Sequence, residues 1–221
     1  KGETGVELEE MYVLTTSLPG NLQLKAGQYF AEFGRQNPQH PHSWAFADQP
    51  LVLNRMFGPD GLRSQGARLS WLLPTSTYVE AMVSVMNSTG GTTSSFRSDE
   101  SADIHGGVAL ERAVRGASDL LYVPRVATSF ELAETQTLLM GASAALGPNN
   151  SGPEASTKVY GLDLYWKWKS LKAHQGFPFV SLQAEALWRQ YDAASRVSAD
   201  IRDIRLPAEV LRDRGAYAQL V

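Results

Sequence analysis

Cysteine is absent from the 221 residues. That excludes a disulfide scaffold and thiolate metal sites, but it does not fix the compartment. Long apolar runs are missing too: no stretch approaches the ~20 residues that a membrane-spanning helix needs, so a helical membrane protein is excluded. Positive charge is not in excess, since 20 Lys+Arg stand against 23 Asp+Glu for a net charge of −3. A partner such as nucleic acid would need a basic stripe, so none is expected. Gly-x-Ser-x-Gly, His-Glu-x-x-His and phosphate-loop patterns do not occur. What is present is 43% hydrophobic and 10% aromatic residues against 19% charged, enough for a folded body and too apolar for a disordered tail. One membrane class passes a hydropathy screen unseen. It is the outer-membrane β-barrel, whose alternating strands average to mildly polar.

Period-two alternation is clearest in Tyr160–Lys169, where Tyr160, Leu162, Leu164, Trp166 and Trp168 alternate with Gly161, Asp163, Tyr165, Lys167 and Lys169. That is a strand with one apolar and one polar face. After a turn around Leu171–Phe177 a second strand carries Val180, Leu182, Ala184, Ala186 and Trp188 on one face and Ser181, Gln183, Glu185, Leu187 and Arg189 on the other. Met11–Thr16 with Leu22–Phe30, Ala67–Leu73 with Tyr78–Asn87, and Leu120–Phe130 with Thr137–Leu146 repeat the hairpin pattern. Pro124 inside its strand implies a bulge or an edge. The connections within hairpins are short, whereas segments 31–65, 88–118, 148–157 and 192–214 are long. Short turns on one side and long loops on the other are the asymmetry of an outer-membrane barrel. A soluble β-sandwich is the rival reading, and long loops recurring on one side only would be unusual for it.

The expected fold is therefore all-β: an antiparallel transmembrane β-barrel of the outer-membrane type. It is present as a partial barrel of about eight strands plus the start of a ninth, within one domain over 1–221. Both ends are expected to be cut. The chain opens at Lys1 without a signal-peptide pattern, and it closes on Ala216–Val221, the beginning of a strand. Trp71, Trp166, Trp168, Phe30 and Trp188 fall near strand ends, at the two levels where amphipathic rings meet a membrane interface. The apolar positions of Tyr160–Trp168 and Val180–Trp188 are expected to face lipid. The lumen is expected to carry Lys25, Arg68, Glu80, Arg125, Asp163, Lys167, Glu185 and Arg189, a mixture of signs that suits a wet interior. The bland reading is that these residues only pair with one another in the wall.

The most distinctive segment runs Glu32-Phe33-Gly34-Arg35-Gln36-Asn37-Pro38-Gln39-His40-Pro41-His42-Ser43-Trp44. With its neighbours in AGQYFAEFGRQNPQHPHSWAFADQPLV, and with YGLDLYWKWK and FPFVSLQAEALWRQY downstream, it resembles a family of bacterial outer-membrane barrels. These are described as porin-like or as zinc-regulated TonB-dependent outer-membrane receptors. The resemblance covers nearly the whole chain. It implies a location in the Gram-negative outer membrane, contact with outer-membrane lipid, and passage of a small solute or metal ion. An energised receptor would also need a plug domain, and a box for the energising TonB-type protein as partner. Neither is visible in this sequence.

Three readings of the segment stay open. It can fold into the barrel mouth as a constriction lined by Arg35, Asp48 and Arg55. His40 and His42 can bind zinc or another metal, with Asp48 as third ligand, because His-x-His on an extended segment puts both rings on one side. Or the His–Pro–His run is a rigid turn packed on Trp44, held extended by Pro38 and Pro41. An inward bend is motivated by Trp44, Phe46, Leu51, Val52, Leu53, Met56 and Phe57, since each would forgo burial worth roughly 1.5–3 kcal/mol if left in water. Hydrolysis is the other class to weigh. The four histidines, His40, His42, His105 and His174, are expected in connections, and none shares a strand face with a Ser and a carboxylate. Glu185 and Arg189 read as a wall ion pair. No enzyme and no covalent cofactor are expected.

Overall fold

The computed structural model describes residues 8–98, 103–104, 107–201 and 203–221. Nine strands form one sheet: β1 (Met11–Leu14), β2 (Leu22–Phe30), β3 (Arg63–Leu72), β4 (Tyr78–Asn87), β5 (Leu120–Ala133), β6 (Gln136–Pro148), β7 (Ser156–His174), β8 (Phe177–Ala193) and β9 (Glu209–Leu220). Each pairs antiparallel with the next in sequence, so the sheet is an uninterrupted meander. Among the described residues β1 has only β2 as a neighbour and β9 only β8, so the sheet is open. The antiparallel all-β architecture is thus present.

Several details differ from the sequence reading. The ninth strand is not a mere start: β9 opens at Glu209 and is 12 residues long, so the last long connection ends well before 214. β7 and β8 are 19 and 17 residues long, far beyond the alternating stretches that identify them. Their hairpin continues to Gln175 and Gly176, whose φ angles of 51° and 95° suit a two-residue turn. Polar residues take both faces there, so periodicity alone reads it as a wide turn. His174 consequently closes a strand and does not lie in a connection, while His105 falls outside the described residues. Pro124 makes neither bulge nor edge. It faces Val83 in an unbroken β4–β5 register, and the ladder to β6 passes from Tyr122↔Leu146 to Arg125↔Ser143 without a shift. A missing N–H removes ladder bonds without moving the register.

One face of the sheet is covered by the chain's own long connections and the other is bare. Their compositions are the reverse of a soluble sandwich. On the bare face Leu24, Leu69, Trp71, Val83, Val126, Met140, Tyr160, Leu162 and Trp188 are each at least 39% exposed. On the covered face Lys25, Arg68, Arg125, Asp163, Glu185 and Arg189 are at most 8% exposed. The register also puts Glu80 (opposite Ala127) and Lys167 (opposite Ser181) on that face. Phe30 is the exception among the end aromatics: it is buried, with the guanidinium of Arg63 5.5 Å from its ring and His40 on its edge.

The apolar core lies between the covered face and the connections, not between two sheets. Tyr29, Met86, Leu121, Val123, Ala145, Val159 and Leu187 of the strands meet Ala31, Phe33, Leu53, Met56, Phe57 and Leu62 of the first long connection and Phe96 of the second. A short helix, α1 (Leu51–Phe57), presents Leu53, Met56 and Phe57 to this core. Their spacing places them on one helical face.

Candidate functional site

The first long connection, residues 31–62, folds back over the covered face. Its neck is tied by Asn37, whose side-chain amide donates to Ala31 O at 2.8 Å and Leu62 O at 3.0 Å while its Oδ1 accepts from Leu62 N at 2.8 Å. Phe33 then drops into the notch left by Gly161, where a Cβ would stand 2.7 Å from its ring. Val52 of α1 sits over Gly215 in the same manner. Ridges on the loop thus seat where strand residues lack side chains.

Polar anchoring differs on the two flanks. Towards β8 and β9 the loop is held by its backbone: Arg35 N–H and Gln36 N–H both donate to Glu185 Oε1, at 3.1 and 2.7 Å. Tyr217 Oη donates to the same oxygen at 2.8 Å, and Gly34 N–H donates to Ser143 Oγ at 3.1 Å. Gly34 has φ of 60°, in the left-handed region, and so suits the turn that aims these amides at Glu185. Towards β2 and β3 the hold is by side-chain charge. Glu32 pairs with Arg68 and lies 3.9 Å from Lys25, which also reaches Glu10 at 4.0 Å.

Deeper in the wall, Arg125 makes a bidentate pair with Asp163 at 2.6 and 2.9 Å and also donates to Ser143 Oγ at 2.8 Å. Arg189 pairs with Asp213 at 2.6 Å and donates to Ser95 Oγ at 2.9 Å. Glu185 and Arg189 therefore do not form the wall ion pair that the sequence suggests. Each is taken by a partner across the sheet or in a loop.

Of the three residues expected to line a constriction, Arg35 and Arg55 meet the wall. The Arg35 guanidinium stacks 3.8 Å from the centroid of the Tyr165 ring. Arg55 is solvent-exposed and lies 3.4 Å from Asp213 of β9. Asp48 is exposed and makes no ion pair among the described residues, so its carboxylate stays in water. Phe46 and Leu51 are exposed as well, so the apolar residues of the segment are only partly packed.

Nor do His40, His42 and Asp48 converge. His40 faces Glu9 with Nδ1 at 3.1 Å and Glu10 with Nε2 at 2.9 Å, on opposite edges of its ring, and His42 stacks on it at 5.5 Å. Among the described residues no three His, Asp or Glu side chains are placed to hold a metal ion.

Sequence reasoning placed the second long connection at 88–118 but missed how it packs. Ser95 and Phe96 stand on the loop and wall through Met56 O, Arg189 and the core, and Thr92 bonds to Arg63 O. It also missed α1, although Pro50 before it, Gly58 after it and apolar residues at 53, 56 and 57 are the usual start, stop and face signals.

No family model matches the chain, and no solved structure matches it. An uncharacterized protein of Aquifex aeolicus (strain VF5) is 30% identical over 232 residues, covering 99% of this chain and 45% of that protein. The chain thus spans about half the length of the curated relative it matches.

Proposed function

We propose that the sheet is part of the wall of a transmembrane β-barrel in the outer membrane of a Gram-negative bacterium, and that the protein passes a small solute. The observation that carries this reading is the distribution of charge. Between Tyr160 and Trp168, and between Val180 and Trp188, the bare face has no charged residue. Lys158, Lys172 and Asp192 stand beyond those runs. On β9, Arg212 and Arg214 lie beside Gln190 and Trp188, at the long-loop end where lipid headgroups would meet them. An apolar band flanked by aromatic and charged rims is what a bilayer demands of a barrel exterior. The polar face is then the lumen, and loop 31–62 narrows it from within. Arg35 and Arg55 are on the lumen side, whereas Asp48 is exposed at the mouth.

A receptor driven by a TonB-type protein, including one for zinc or another metal, is the second reading. The apolar packing that fills the space between both long loops and the wall favours it, since it seals this side of the lumen. We read the site as non-catalytic, because Glu185 Oε1 is taken up in holding the loop and Asp163 is paired with Arg125. Conductance of the full-length protein in planar bilayers tests the first reading. Deleting residues 36–47 is expected to raise single-channel conductance. A folded, inserted protein that conducts in neither form would overturn passive permeation.

A further inference from the structure

We propose that the cavity between the loop and the short-turn half of β7, β8 and β9 binds a small oxyanion, a carboxylate or phosphate compound, through Arg35 and Lys167. This rests on the reading above for its place along a solute path, but its physical basis is local. The cavity is about 290 Å³, and Ser181, Gln183 and Gln219 line it together with the two cations. That volume is close to the lower end of small-molecule sites, roughly 300 Å³. No Asp or Glu side chain lines it.

Charge pairing makes the cavity unusual within the covered face. The buried cations around it are matched: Lys25 by Glu10 and Glu32, Arg68 by Glu32, Arg125 by Asp163, and Arg189 by Asp213. Arg35 and Lys167 make no ion pair among the described residues. Each is instead propped on an aromatic face, Arg35 at 3.8 Å from Tyr165 and Lys167 Nζ at 4.8 Å from Phe179. A ring steadies a cation without neutralising it. The Nε of Arg35 is buried and has no hydrogen-bond partner. A partly desolvated cation without a counter-charge is costly, and an arriving anion removes that cost through charge-assisted hydrogen bonds. Tyr165, which carries Arg35, and Lys167 are two residues apart on one strand face, roughly 7 Å. That separation allows one anion to meet both cations. The Ser181 hydroxyl and the Gln219 amide supply neutral donors beside them.

The test is calorimetric titration of the detergent-solubilised full-length protein with inorganic phosphate and, separately, with succinate. Saturable binding of at least one is expected, weakened at least tenfold in Arg35→Gln and in Lys167→Gln. Lys158→Gln, outside the cavity, is expected to bind as the parent does. Binding of neither anion by the parent, or unchanged binding in both cavity variants, overturns the site. Should a variant fail to fold, hydrogen exchange on the parent decides. Slowed exchange in segment 33–36 with phosphate or succinate supports the site, and exchange that neither anion changes overturns it. The two readings separate in planar bilayers. A protein that binds anions but never conducts keeps the site and loses the pore, whereas one that conducts and binds neither anion loses the site alone.

Discussion

The two faces of this sheet are built from the same strands and differ in which solvent they can tolerate. The bare face keeps charge to its margins and leaves Leu162, Val126 and Leu69 open. The covered face buries charge along its height and satisfies it with partners from neighbouring strands and from the loops. In water this arrangement would leave apolar surface exposed and bury ions at a desolvation cost, which is the wrong way round for a soluble domain. The difference teaches that the uncharged apolar pattern marks the bare face, while the covered face combines an apolar core with paired charges.

The sharpest way to break that distinction is to place charge on each face. Leu162→Arg on the bare face should cost about 2–4 kcal/mol near the bilayer midplane. Thr137→Arg, on the covered face but exposed near a short turn, should cost far less. Unfolding by urea from lipid vesicles measures both, and equal costs would end the lipid-facing assignment. Asp163, which the sequence offers as a tolerant lumen position, is a poor comparator. It is the bidentate partner of Arg125, so Asp163→Arg would set two guanidiniums against each other.

A second test contrasts the two flanks that hold the loop. Glu185→Ala removes the acceptor of two backbone amides and the Tyr217 hydroxyl, leaving buried donors open at roughly 1–3 kcal/mol. Trypsin cleavage after Arg35 is expected to accelerate. Glu32→Ala should have a smaller effect, because Lys25 keeps Glu10 and Arg68 keeps the Gln23 amide oxygen at 2.8 Å. If the Glu32 variant frees the loop more than the Glu185 variant, the backbone clamp is not the principal tether. Gly161→Ala should fall near these values, since its methyl would press on the Phe33 ring and overpacking costs typically 1–3 kcal/mol. Unchanged stability in the Gly161 variant would argue that Phe33 has room to turn.

Much of the fold was legible because alternation is local. Tyr78–Asn87 stands as read, and Leu120, Leu22 and Phe30 are strand bounds that residue pattern alone locates. The division of Asp163, Lys167, Glu185 and Arg189 from Leu162, Leu164 and Trp188 follows from the same period, since a strand cannot put neighbours on one face. What was not legible depends on contacts far apart in sequence. Nothing near Glu185 says that it will receive amides of residues 35 and 36, and nothing near Gly161 names Phe33. The pairing of Arg189 with Asp213, in place of Glu185, likewise needs the β8–β9 register. His40 and His42 drew attention by type and spacing, yet ring orientation decided their partners, and spacing does not encode that.

The smallest effect expected lies at a nearly buried carboxylate outside the nine strands. Asp119, just before β5, has its pKa held below the ordinary carboxylate value, first by the N–H of Arg115, 3.0 Å away, and then by the charges of Arg112 and Arg97. Burial opposes this; it ranks second, after the Arg115 hydrogen bond, and the lowering influences together outweigh it. A depressed carboxylate stabilises the folded state above the unfolded value, near 3.9 for Asp, and that contribution is lost as pH falls through the folded value. Hydrogen exchange in the segment around Arg112–Asp119 should therefore hold steady, after correction for intrinsic rates, from neutral pH down to about pH 4. Below that it should lose protection. The Asp119→Asn variant should remove this acid limb while leaving the bare-face strands unchanged. An acid limb that persists in the variant would assign it to other groups, and Asp119 would then be a bystander to the stability of the wall.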